Sequence, residues 1–99
     1  MNGTFVKEKD AVSEIKFKKG DRVVIARPDE SDILLGVQIG DVGEVLDNQE
    51  LLWVRMDKYN ANFSNADGMC ETGHGRPMRQ DQLELEKVRW LILLNSKKR

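Results

Sequence analysis

Cys70 and His74 stand four residues apart in CETGH, and they are the only cysteine and histidine of the chain. That spacing could serve two chemistries. As metal ligands the pair needs one or two further donors, because a zinc ion takes three or four protein ligands. Asp67 or Glu71 would have to supply them. As nucleophile and base the pair needs an orienting acid and an oxyanion hole, and no nearby pattern provides them. The neighbouring GHGRP, residues 73–77, lacks the glycine spacing and the following helix of a phosphate cradle. It reads as a turn, with Arg76 as the one group there that could hold an anion. The sequence thus implies no catalytic residue, no metal and no cofactor, and the expectation is a protein that is not an enzyme.

Residues suited to recognition are more numerous. Trp53 and Arg55 share one face of an alternating segment, and Tyr59 and Phe63 follow closely. Aromatic rings beside an arginine can anchor a peptide or stack a base. Asp29, Glu30 and Asp32 add an acidic group in the stretch 29–35. Trp53, Arg55, Tyr59, Phe63, Asp29, Glu30 and Asp32 are therefore the candidate protein-binding residues. The plainer alternative for Trp53 is a lid on the core or a place under the C-terminal segment. A second set, Lys16, Lys18, Lys19 and Arg22 with the basic tail 97–99, would suit nucleic-acid phosphates.

Charge is unevenly spread along the chain. Residues 1–27 carry +3, residues 28–57 carry −7 and residues 58–99 carry +3, within a net charge of −1. So acidic a middle disfavours nucleic-acid binding over the whole surface. Asp29, Glu30, Asp32, Asp41, Glu44, Asp47 and Glu50 read either as a solvated face or as a negative surface that imitates nucleic-acid phosphates. A single cysteine allows no intrachain disulfide and fits a reducing cytoplasm. The first residues lack the apolar centre of a signal peptide. The longest apolar run, LILL at 91–94, is far below the roughly 20 residues of a membrane span.

Ninety-nine residues suit one domain. Residues 1–15 fit neither the helical nor the strand period and read as a flexible arm. DRVVIA, 21–26, alternates as a strand and stops at Arg27-Pro28-Asp29. Ser31 is placed to cap a short helical turn reaching Leu34 or Leu35. DVGEVLD, 41–47, is the second strand, with Gly43 marking a bulge or bend. DNQE makes a tight turn into LLWVRMD, 51–57, where Leu52, Val54 and Met56 oppose Trp53 and Arg55. Residues 58–77 form a long loop, with an added short strand expected near 62–64. MRQDQLELE, 78–86, reads as one helical turn and then a strand with Leu83 and Leu85 inward. KVRWLILL, 87–94, continues as strand or helix, with the alternation of Val88, Trp90, Ile92 and Leu94 on the side of a strand. So apolar a segment cannot stay in water, and it either pairs with the other strands or covers one end of them, or makes a homodimer contact through 88–94.

A Gly-Asp pair opens the strand segments at both Gly20-Asp21 and Gly40-Asp41. Glycine accepts positive φ without steric cost, and an adjacent aspartate can bond nearby amides, so each pair suits a barrel corner. The order KKGDRVVIA, GDVGEVL, LLWVRMD and PMRQDQLELE resembles SH3-like small barrels of the KOW and Mind-bomb type, over about residues 17–86. Gly20, Asp21, Val23, Ile25, Gly40, Gly43, Val45, Val54, Asp57, Leu83 and Leu85 match that template. The chain is also similar to short phage and prophage proteins built on one such barrel. The resemblance implies an all-β, five-stranded SH3-like barrel at 16–87, with a loose N-terminal arm and an 88–99 extension ending in a basic tail. It further implies a protein-interaction module, phage-encoded, that binds or inhibits a host protein. A KOW-like nucleic-acid binder is the alternative.

Overall fold

The computed structural model describes residues 17–49 and 51–97. Its elements are β1 (Arg22–Ile25), α1 (Glu30–Leu34), β2 (Val42–Asn48), β3 (Leu52–Met56), β4 (Gly75–Met78), β5 (Leu83–Leu85) and α2 (Glu86–Lys97). The five strands form one antiparallel sheet in the order β4-β3-β2-β1-β5. A 3-10 turn at Gln80–Gln82 leads into β5, as the reading of MRQDQLELE expects. The flexible arm assigned to 1–15, and Lys16 beside it, lie outside the described residues.

The two Gly-Asp pairs build the same corner twice. Gly20 and Gly40 have φ of +93° and +96°, values that side-chain-bearing residues rarely adopt. Asp21 accepts the Lys18 amide at 2.8 Å, and Asp41 accepts the Gln38 amide at 3.0 Å. In return the Asp21 and Asp41 amides donate to the carbonyls of Lys18 and Gln38. The glycine amides then tie each corner to a strand, Gly20 to Val45 and Gly40 to Ile25.

Alternation along the strands separates two faces. One face gathers Val23, Ile25, Val45, Val54, Met56 and Leu83, joined by Phe17, Val37, Leu52, Phe63 and Met78 in a single buried cluster. Leu85 packs on it half-buried. The other face carries the charged row Arg22, Glu44 and Arg55, aligned across three strands. Opposite charges on directly facing strand positions attract. Val24, also on that outer face, is nevertheless buried, and α2 packs against β1 and β5.

Gly43 marks a close approach rather than the expected bulge. A Cβ there would stand 2.6 Å from the Arg55 carbonyl oxygen and 2.9 Å from a Val54 methyl. The register shift lies further along, between Val45 and Asp47.

Three other expectations change, and the open choice between strand and helix at 88–94 is decided. Asp29, not Ser31, precedes α1. The segment near 62–64 contributes only an isolated bridge from Ser64 to Gly75. GRPM, within the expected loop and turn, is the strand β4. A proline is tolerated in a strand when its missing N–H costs no ladder bond. The 88–94 segment is helical, within α2. Its apolar run satisfies both periods, so alternation could not decide. Leu, Glu, Lys and Arg favour a helix, and twelve residues exceed a usual strand.

Candidate interaction surface

Antiparallel pairing sends two loops to one end of the sheet. β1 leaves at Ile25, whose amide bonds the Asp41 carbonyl at 2.8 Å, so the 26–41 loop returns beside its start. β3 leaves at Met56, which pairs with Gly43, so the 57–74 loop emerges at the same end. Side chains sew the two together. Asn60 and Asn62 both donate to the Leu35 carbonyl, at 3.0 and 3.2 Å. Lys58 reaches Gln38 and Asp41, each at 3.4 Å.

A buried carboxylate fixes α1. Asp32 is 5% exposed and is bonded by Arg76 of β4, by Gln82 at 2.8 Å and by the Asp29 amide at 2.9 Å. Burial pushes its carboxyl up, but hydrogen bonds from Arg76, the Asp29 amide and Gln82, with the Arg76 charge, hold it below the ordinary aspartate value. A buried charge survives only when so surrounded. Arg79 adds a second tie, to Asp29 at 2.8 Å.

With α1 held from behind, its other face is bare. Leu34 is 81% exposed and Ile33 is also exposed, as are Ile39 in the same loop and Tyr59 in the neighbouring one. The Tyr59 ring packs over Gly73, whose φ is +99°, and meets the His74 ring edge-on at 5.9 Å.

The seven candidate protein-binding residues separate into three places. Asp29, Glu30 and Tyr59 are exposed at the loop end. Trp53 and Arg55 are half-buried on the outer face of β3, with Trp53 between Asp47 and Pro77. Arg55 Nε and Nη2 each donate to Glu71 at 2.8 Å, which lowers the Glu71 carboxyl pKa to about 2. Phe63, 4% exposed, belongs to the core, and Asp32 is buried, so neither faces solvent. Sequence reasoning passed over Ile33, Leu34 and Ile39. The signal was the pairing of ILL with a helix too short to bury all its sides.

Four of the eight acids in residues 28–57 are paired within the fold. Asp29, Asp32, Asp41 and Asp57 pair with Arg79, Arg76, Lys58 and Arg22, and each of these bases comes from the flanking segments. Arg22 donates to Asp57 at 3.0 Å and also meets Glu86 at 3.4 Å. Its hydrogen bonds keep the Asp57 carboxyl below the usual range. Lys18, Lys19 and Lys87 are exposed and have no ion pair among the described residues. Gly20, Asp21, Arg22, Leu85, Glu86 and Lys87 line an open cavity of about 490 Å³.

Cys70 and His74 bond elsewhere than to each other. The half-buried Cys70 thiol donates to the Glu71 carbonyl at 3.6 Å, and burial, then the Glu71 charge, pushes its pKa up. His74 Nδ1 donates to the Met56 carbonyl at 2.7 Å. Among the described residues no three His, Cys, Asp or Glu side chains converge to hold a metal ion. No described helix is long and apolar enough to cross a membrane. Comparison with protein-family models, curated proteins and solved structures finds no match.

Proposed function

We propose that the chain is an SH3-like small barrel that works as a non-enzymatic protein-interaction module, docking a partner on the loop end. The strand order β4-β3-β2-β1-β5, with a 3-10 turn before β5, supports the barrel reading. Bonds from the Ala26 and Arg27 amides to the Gln82 carbonyl, at 2.8 and 3.1 Å, support it too. The observation that carries the functional reading is the set of apolar side chains, Ile33, Leu34, Ile39 and Tyr59, exposed on loops that are tied down. Apolar groups on an ordered surface gain free energy when a partner covers them. The resemblance to short phage proteins extends the proposal to a phage-encoded chain that binds or inhibits a host protein.

Affinity capture from cell lysate at two salt concentrations tests this. Leu34→Ser and Tyr59→Ala should each weaken capture of a protein partner, while Lys18→Glu with Lys19→Glu should not. The second reading, nucleic-acid contact, draws on the exposed lysines at the other end of β1. Gel shifts that fall steeply with salt and vanish with the lysine pair would put that reading in place of the first.

A further inference from the structure

Resting on the docking reading of the loop end, we propose that the α1 face formed by Glu30, Ile33 and Leu34 takes a cationic amphipathic segment of a partner protein. In a helix, residues at i, i+3 and i+4 share a face. Glu30, Ile33 and Leu34 have that spacing, and Asp32, buried against β4 and the 3-10 turn, points the opposite way.

The surroundings set the sign of the partner's charge. Among the described residues, the bases tied to α1 or to the loops around it are already engaged: Arg76 with Asp32, Arg79 with Asp29 and Asp81, Lys58 with Asp41, and Arg27 with Glu84. Glu30 is exposed, and its side chain has no ion pair or hydrogen bond among the described residues. A partner carboxylate or phosphate would meet this carboxylate, while each of those described bases already has its own acid. A partner Lys or Arg gains it as a mate while neighbouring apolar groups cover Ile33 and Leu34. Like charges brought together at an interface are strongly disfavoured. The apolar pair is already fixed in place, so little ordering cost remains on this side.

The test uses the full chain and two labelled amphipathic peptides of about fifteen residues, one of Leu and Lys and one of Leu and Glu. Fluorescence anisotropy should show the Leu/Lys peptide binding about ten-fold or more tightly than its counterpart. Glu30→Lys should reverse the preference, and Leu34→Ser should weaken binding with the circular dichroism unchanged. Amide shifts should cluster at 29–36. Equal affinities, a preference untouched by Glu30→Lys, or shifts centred on Lys18–Arg22 would overturn the proposal. So would binding of anionic lipid vesicles at this face. Capture of a cellular partner separates the two levels. Loss with Leu34→Ser but not with Glu30→Lys keeps the docking surface and removes its cationic partner. Capture indifferent to Leu34→Ser removes the docking surface itself.

Discussion

α1, with five residues, is tied through Asp32 to β4 and the 3-10 turn, whereas α2, with twelve, packs against β1 and β5. A helix of five residues is far below the length that persists alone in water. α1 exists because Asp32 is buried among Arg76, Gln82 and the Asp29 amide. The described polar ties of α2 are partly exposed pairs, Glu86 with Arg22 at 3.4 Å, and Arg89 with Glu84 at 3.3 Å just before the helix. Both helices leave apolar side chains uncovered, Ile33 and Leu34 on one, Val88, Leu91 and Leu94 on the other. The contrast teaches that the shorter helix is held chiefly by a buried carboxylate, whereas the polar ties described for the longer one are partly exposed ion pairs.

Breaking that contrast begins at Asp32. Asp32→Ala leaves the half-buried Arg76 without its partner and should cost about 3 kcal/mol in urea unfolding. A loss no larger than that of a surface pair would show that α1 is held by something else. Gly43→Ala probes the centre of the sheet. Its new methyl meets the Arg55 carbonyl and should cost about 1–3 kcal/mol by overpacking. On α2, Glu86→Ala should cost less than about 1 kcal/mol, and the difference should shrink in high salt. Leu91→Ser, at an exposed position, should change stability by less than about 0.5 kcal/mol.

Acid sharpens the same comparison. The Asp32, Asp57 and Glu71 carboxyls are all stronger acids in the fold than in the unfolded chain. The unfolded chain therefore takes up protons first, and stability falls as pH drops. The contribution is complete above the ordinary carboxylate range. It is lost as pH falls through each native value, down to about 2 for Glu71. Chemical unfolding across this window should show Asp32→Asn reducing the acid-side slope more than Glu71→Gln, since the Glu71 pair is open to water and screened.

The candidate site was only half legible. Asp29, Glu30 and Tyr59 were found by residue type, and they stand exposed where two loops meet. Phe63 is of the same type, but its ring completes the core. Asp32 resembles its acidic neighbours until Arg76, forty-four residues away, is seen to cover it. Leu34 looks like a core residue in sequence, and only the placement of Asp32 beneath the helix turns it outward.

Local chemistry determined the corners, the segments β1, β2, β3 and β5, and which of their side chains face the core. Positive φ at Gly20 and Gly40, the aspartates beside them and a two-residue period all act within a few positions of the chain. Tertiary structure alone decided three further things: that GRPM becomes an edge strand, that 86–97 winds into a helix, and that half of the acids in the middle stretch are paired within the fold. Asp29, Asp32, Asp41 and Asp57 meet bases from both flanks. Coulomb attraction acts through space between groups that the folded chain brings close, so charge counted along the sequence could not foretell charge displayed on the surface.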